Sequence, residues 1–116
     1  MKHLPLLLFC VIVIFFIKKR FFDTTDYTTM LKEGGVIIDV RSSEEFLTGN
    51  IDNSLNIPLN KLTSNISGLK DKNQLIITCC ASGVRSGIAK NILKAKGYNN
   101  VVNGGGWDAL RKKIKQ

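Results

Sequence analysis

The 116-residue sequence has little histidine and little cysteine, and these shortages exclude two common classes of protein. The single histidine, His3, lies at the N-terminus outside the predicted domain, so no imidazole base is available for a Ser–His–Asp triad. The three cysteines cannot form a disulfide framework, because Cys10 lies in an apolar run and Cys79 and Cys80 are adjacent. A triad hydrolase and a disulfide-rich scaffold are therefore excluded.

Acidic residues are also scarce: 9 Asp and Glu stand against 17 Lys and Arg, a formal charge of +8. Much of the excess lies at the two ends, since residues 1–22 hold four bases and no acid and residues 111–115 hold four more bases. Residues 23–110 are close to neutral, which excludes a nucleic-acid-binding face across them. A content of 44% hydrophobic and 22% charged residues is typical of a globular chain, not of a collagen-like, coiled-coil or disordered one.

The longest apolar run covers residues 4–17, fourteen residues without a charge, and is followed by Lys18, Lys19 and Arg20. The run alone is short for a membrane span, but residues 4–22 as a helix would be ~28 Å long, against a hydrocarbon core of about 30 Å. No small residue for signal-peptide cleavage follows the run. We predict that residues 1–22 are an uncleaved, single-pass membrane anchor. A cleaved signal, or a helix lying on the domain or at the membrane interface, is the alternative.

The charges that flank this run predict its orientation. Three bases follow it, against Lys2 and the α-amine before it, so the positive-inside rule places the following domain in the cytoplasm. An exported or periplasmic domain is the alternative. The remaining residues, 23–116, are sufficient for a single hydrophobic core and are predicted to form one domain.

Within this domain, short apolar runs alternate with helical patterns. β-Branched runs predict buried strands at residues 36–40, 75–78 and 101–102. Helices are predicted at residues 24–33, 42–47, 59–66, 86–96 and 107–114, the first capped by Thr24 or Thr25 and the second opened by a capping box from Ser42 to Glu45. Residues 104–106 are predicted to form a tight turn. The alternation indicates right-handed βαβ units, and hence an α/β fold with a mostly parallel sheet flanked by helices.

One loop of this fold combines the features that make a cysteine reactive. Cys80 follows a buried strand, at the end of a parallel sheet where ligands bind. The N–H groups of the next residues can surround its sulfur, the helix predicted from Ser86 adds its positive end, and Arg85 adds a charge. All three favour thiolate over thiol, and Gly83 allows the tight curl. The candidate catalytic residue is Cys80, and the candidate loop or substrate-binding residues are Ala81, Ser82, Gly83, Val84, Arg85 and Ser86.

Further motifs stand in a set order around this loop: Ile38-Asp39-Val40-Arg41, Glu45-Phe46, Gly49-Asn50-Ile51, Asn56-Ile57-Pro58 and Gly105-Gly106-Trp107. With the loop, they resemble the rhodanese-like sulfurtransferases over nearly all of residues 23–116. The resemblance implies a rhodanese-like fold, here preceded by one N-terminal hydrophobic helix. It implies that Cys80 carries sulfane sulfur as a persulfide, taken from a small donor (thiosulfate or a persulfide) and passed to a thiol or protein acceptor. It implies no metal and no organic cofactor.

The sequence leaves three other functions open. Phosphatases and arsenate reductases of a similar fold use a C-x5-R loop, whereas Cys80 to Arg85 is C-x4-R, the length that suits one bound sulfur. A catalytically silent interaction module at the membrane would typically have lost the cysteine or distorted its loop. A redox sensor would need a disulfide between Cys79 and Cys80, but adjacent cysteines form strained disulfides and Cys79 is expected to point away from the pocket.

Three charged residues near the loop have both a functional and a structural interpretation. Asp39 and Arg41 are candidate supporting residues, which either orient the loop and bind the donor or form an internal ion pair. Arg85 either stabilises the thiolate or ties the loop down.

The charge around the loop also bears on the donor. Some thiosulfate-active members of the family carry bases at the loop positions held here by Ala81 and Ser82, and others carry one where Glu45 stands. We therefore expect weak binding of thiosulfate, with Arg85 and Arg41 as the local positive charges. A persulfidated protein or small persulfide is the alternative donor.

Overall fold

The computed structural model describes residues 26–114, which form one parallel sheet with helices on both faces. The strands are β1 (Val36–Asp39), β2 (Leu55–Asn56), β3 (Ile76–Cys80) and β4 (Val101–Gly106), and the helices are α1 (Tyr27–Lys32), α2 (Ser43–Thr48), α3 (Leu62–Asn65), α4 (Val84–Ala95) and α5 (Trp107–Ile114). Short 3-10 turns at Leu59–Lys61 and Ile66–Gly68 flank α3. The strand order is β2-β1-β3-β4, and every pairing is parallel. The predicted α/β class and parallel sheet are confirmed.

Strand β3 lies at the centre of the sheet, and all five of its residues are buried. Because successive side chains of a strand point to opposite faces, β3 contributes to two separate cores. Cys80 belongs to the core that α4 covers, with Ile38, Leu62, Ala89 and Leu93 among its members. Cys79 belongs to the core on the other face, with Ile37, Ile51, Ile77, Leu110 and Ile114, against which side chains of α1 also pack. The two adjacent thiols are therefore separated by the sheet.

Several boundaries differ from those that the sequence predicts. Helix α1 is capped by Asp26, whose carboxylate accepts the N–H of Thr29 at 3.0 Å, so the prediction of a cap at Thr24 or Thr25 was wrong. Helix α4 begins at Val84 rather than at Ser86, because Gly83 has φ of +103° and serves as its cap. The predicted capping box of α2, from Ser42 to Glu45, is confirmed.

The glycines at 104–106 were predicted to form a turn, and this prediction was wrong. They continue strand β4, and Cys80 pairs with Gly106. A side chain on Gly104 would meet Ile77 Cγ2 at 2.8 Å and the carbonyl oxygen of Thr78 at 2.9 Å. Glycine is needed here because β4 lies in close contact with β3, and a glycine run read without that neighbour looks like a turn.

Within residues 26–114, no helix combines the length and the apolar character needed to cross a bilayer. The anchor predicted over residues 4–22, and with it the boundary between segments 1–22 and 23–116, lies outside the described residues. Both stay predictions.

A buried ion pair joins the end of β1 to helix α2 and the turn after it. The guanidinium of Arg41 donates to both carboxylate oxygens of Asp39 at 2.8–3.1 Å, and the Asp39 side chain is fully buried. The same guanidinium donates to the carbonyl oxygens of Glu45 at 3.1 Å and Gly49 at 2.7 Å, and it lies 4.6 Å from the centroid of the Trp107 ring. This pair therefore orders the segment that faces the Cys80 loop.

Replacing Arg41 is expected to destabilise the domain strongly. In Arg41→Gln the Asp39 carboxylate stays buried without its partner, which costs about 3–5 kcal/mol of unfolding free energy. The measurement is urea unfolding of the full chain in mild detergent, followed by circular dichroism. Arg111→Gln is the matched control, because the Arg111–Asp108 pair is about half exposed and is worth less than about 1 kcal/mol. Equal losses in the two variants would contradict a structural role for the buried pair.

Candidate active site

Cys80 is the last residue of β3, and the chain curls around its sulfur before α4 begins. The N–H of Gly83 donates to Cys80 Sγ at 2.9 Å, and the N–H of Ser86 lies 3.4 Å from the same atom. The curl depends on the left-handed backbone conformation of Gly83, which residues with a side chain rarely adopt. The predicted cradle of loop amides is therefore present, at the amino end of α4 as expected.

The hydroxyl of Ser86 also lies close to the sulfur, a contact that the sequence alone does not indicate. Ser86 Oγ lies 3.4 Å from Cys80 Sγ. Burial by itself raises the pKa of the Cys80 thiol. Hydrogen bonds from the Ser86 hydroxyl and from the backbone N–H groups of Ser86, Gly83 and Ser82 lower the pKa, and together they outweigh burial. The net result is a pKa below the ordinary thiol value. The donors that favour the thiolate are therefore neutral groups.

Asn103 of β4 contacts both the loop and the Ser86 hydroxyl, and it was not among the site residues predicted from the sequence. Its side-chain N–H donates to the carbonyl oxygen of Gly83 at 3.1 Å. Its Oδ1 lies 2.7 Å from Ser86 Oγ and accepts the N–H of Gly105 at 2.9 Å. The single hydroxyl proton of Ser86 can be donated either to this oxygen or to Cys80 Sγ. The one signal in the sequence was its place directly before three glycines. The sequence does not place Asn103 beside the Cys80 loop, because this depends on β4 continuing through the three glycines.

Arg85 pairs with Glu45 of α2. Its Nη1 donates to Glu45 Oε1 at 2.7 Å and its Nη2 to Oε2 at 2.9 Å. The guanidinium, with the capping contacts of Ser42, lowers the pKa of Glu45 to about 2, and Glu45 in turn raises the pKa of Arg85. Arg85 was expected to add a full charge beside the thiolate. In the structure this charge is paired with the Glu45 carboxylate, and the pair connects the loop to α2.

Asp39 and Arg41 show the contacts of the structural interpretation. The side chains of both are almost entirely buried, with 0% and 4% of their surface exposed, and they bind each other. Arg41 acts on the site through the carbonyl oxygen of Glu45, which places the helix that carries the partner of Arg85. Arg41 therefore contacts the backbone of Glu45, which pairs with Arg85 of the loop.

The other loop residues are small or exposed. Ala81, Ser82 and Val84 are exposed, and Val84 shows 70% of its surface to solvent. A side chain on Gly106 would meet the carbonyl oxygen of Ala81 at 2.9 Å. The loop therefore carries no charged side chain of its own except that of Arg85.

Cys79 differs from Cys80 in the groups that surround its thiol. It is fully buried among aliphatic side chains, and this burial raises the pKa of its thiol. Because the two side chains point to opposite faces of the sheet, Cys79 does not face the Cys80 pocket, as expected. This placement does not favour a redox pair of the two cysteines.

Comparisons with known proteins agree with this geometry. At 38% identity over 80 residues, the thiosulfate sulfurtransferase PspE of Escherichia coli matches 67% of this chain and 77% of its own length. A putative mitochondrial thiosulfate sulfurtransferase of Schizosaccharomyces pombe is 34% identical over 94 residues, covering 69% of this chain and 66% of the relative.

Solved structures extend the likeness to three dimensions. A rhodanese from E. coli, solved with anions, superposes with a TM-score of 0.61 at 36% identity and covers 64% of this chain and 88% of that one. The family model described as Rhodanese-like domain matches residues 23–113, which include the sheet, the Cys80 loop and the helices that hold it. The chain belongs to the rhodanese-like domain family.

Proposed function

We propose that this protein is a sulfurtransferase that carries sulfane sulfur as a persulfide on Cys80. The observation that carries the proposal is the cradle around Cys80 Sγ, in which two backbone N–H groups and one hydroxyl meet a sulfur with a lowered pKa. Such donors stabilise an anionic sulfur, and both the thiolate and the persulfide are anions. The names of the two relatives, a thiosulfate sulfurtransferase and a putative thiosulfate sulfurtransferase, support the same reaction.

In the first half-reaction, the Cys80 thiolate attacks the outer sulfur of the donor. With thiosulfate, the new bond joins Cys80 Sγ to that sulfur, the sulfur–sulfur bond of the donor breaks, and sulfite leaves with the bonding electron pair. The N–H groups of Gly83 and Ser86 that hold the thiolate are placed to hold the persulfide anion. The lowered pKa of Cys80 favours the thiolate, which is the nucleophile in this step.

In the second half-reaction, a thiophilic acceptor attacks the outer sulfur of the persulfide, and the Cys80 thiolate is the leaving group. Cyanide serves in the test tube, and a small thiol or a protein thiol serves as the acceptor proposed for the cell. Because one product leaves before the acceptor reacts, the kinetics are ping-pong.

The catalytically silent interaction module is the alternative, and the site does not favour it. Gly83 and Ser86 make the contacts that a bound sulfur would use, and Asn103 lies within hydrogen-bond distance of Ser86. A domain used only for docking would not need a cysteine with a lowered pKa.

Sulfur loading tests the proposal directly. The full chain, incubated with thiosulfate or separately with glutathione persulfide, is expected to gain one sulfur atom on Cys80, seen by intact mass and peptide mapping and removed by cyanide. Cys80→Ser should gain none. Cys79→Ala is the matched control, since it removes the neighbouring thiol from the opposite face and should still load. If neither donor loads the parent chain, the silent module replaces the sulfurtransferase.

The pH dependence of Cys80 alkylation tests the cradle. The thiolate is lost as pH falls through the pKa of Cys80, so a lowered pKa extends the reaction to lower pH. We expect the midpoint for iodoacetamide to lie below the ordinary thiol value of about 8.5, and to move upward in Ser86→Ala. Cys79 in the same sample should stay unmodified. A midpoint at or above the ordinary value would contradict stabilisation of the thiolate by the loop.

The proposal extends to the N-terminal segment. Residues 4–22 would anchor the protein in a membrane as a single pass, with the domain over residues 23–116 in the cytoplasm. The support is the length of the apolar run and the three bases that follow it. The exported or periplasmic location is the alternative.

Extraction and proteolysis test this placement. The full chain is expected to stay with the membrane in alkaline carbonate, whereas a variant lacking residues 1–22 is released. In sealed vesicles, protease should remove the domain only when the cytoplasmic face is outside. Release of the full chain would contradict the anchor, and digestion only in right-side-out vesicles would show the exported orientation.

A further inference from the structure

Glu45 is held so that its carboxylate meets Arg85 at the rim of the Cys80 loop. The backbone N–H and the hydroxyl of Ser42 lie 3.2 and 3.1 Å from Glu45 Oε1, and the Glu45 carbonyl oxygen accepts Arg41 Nη1. The carboxylate then binds both terminal nitrogens of Arg85, and the two side chains are 38% and 36% exposed. The pair is therefore partly open to solvent, and Arg85 joins it to the Cys80 loop.

Each of the two arginines near the loop is paired with a carboxylate. Arg41 is buried against Asp39, and Arg85 is paired with Glu45. The other loop side chains, those of Ala81, Ser82 and Val84, carry no charge. In the described part of the chain, the attraction for an anion at this loop comes from backbone N–H groups and the amino end of α4, without an unpaired guanidinium.

The two classes of donor differ in the charge that reaches the thiolate. Thiosulfate is a dianion, so its reaction joins charges of −1 and −2 and releases sulfite as a dianion. A thiol persulfide reacts in its protonated form, R–S–S–H: the Cys80 thiolate attacks the outer sulfur, the sulfur–sulfur bond of the donor breaks, and R–S⁻ leaves with the electron pair. The product is Cys80–S–S–H, so one negative charge is present at the reacting atoms during this step. Loss of the proton then gives the persulfide anion that the loop holds.

We propose that Glu45 is a specificity-determining residue that withholds Arg85 from anionic donors and so favours thiol persulfides over thiosulfate. The inference rests on the proposed sulfurtransferase function. Like charges that meet without a compensating cation slow association, whereas a donor with an uncharged reacting sulfur does not meet this barrier. The structure thereby gives a physical basis for the weak thiosulfate binding expected from the sequence, and it assigns that weakness to one carboxylate.

The test frees Arg85 without disturbing helix α2. Glu45→Gln removes the charge, and glutamine retains the capping-box hydrogen bond. For the full chain, we expect the ratio of kcat/KM for thiosulfate to kcat/KM for glutathione persulfide to rise about tenfold, through a lower KM for thiosulfate. The matched control is Glu44→Gln, which removes the same charge from the neighbouring, exposed residue and should leave the ratio unchanged.

A double variant tests whether the Arg85 guanidinium causes the rise in the kcat/KM ratio. Glu45→Gln with Arg85→Gln should lose the gain, because no guanidinium is left to bind the anionic end of thiosulfate. High salt should also reduce the gain by screening. The proposal is overturned if Glu45→Gln leaves the ratio at its parent value, or if Glu44→Gln raises it equally. Failure of the parent chain to take sulfur from either donor would instead overturn the sulfurtransferase function itself.

Discussion

Strand β4 runs so close to the Cys80 loop that a side chain on Gly106 would meet the carbonyl oxygen of Ala81 at 2.9 Å. This closeness lets Asn103, three residues earlier on the same strand, bind the carbonyl oxygen of Gly83 and the hydroxyl of Ser86. Those two residues in turn supply the N–H groups that hold the sulfur. The loop is therefore shaped from outside, by a strand that can approach only because it carries no side chains at the contact.

The site stabilises a negative sulfur mainly with neutral dipoles, and its full charges are paired elsewhere. The buried pair of Asp39 and Arg41 fixes the backbone of Glu45, and Glu45 then pairs with Arg85. Backbone N–H groups fixed by the fold need little reorganisation when the sulfur gains or loses charge. A sulfur that must be both loaded and released benefits from donors that stay in place through both steps.

Local chemistry in the sequence predicted the parts of the fold that depend on neighbours in the chain. The strand around Ile38, the capping box at Ser42 and the loop after Cys80 were all predicted from a few consecutive residues, and the motifs placed the cysteine correctly. The roles of Asn103 and Glu45 were not predictable in this way. Asn103 lies 17 residues from Ser86 and Glu45 lies 40 from Arg85, so each contact exists only after the sheet is assembled.

The adjacent cysteines show why placement, and not residue type, determines the chemistry of this site. Cys79 and Cys80 share one strand and equal burial, at 0% and 1% exposure, yet the pKa of one thiol is raised and that of the other is lowered. Burial opposes the thiolate at both. Only Cys80 faces the amide and hydroxyl donors of the loop, because the pleat of β3 turns Cys79 toward aliphatic side chains on the other face. A shift of the strand by one residue would exchange their environments, so the register that β1 and β4 impose on β3 is itself a requirement of the reaction.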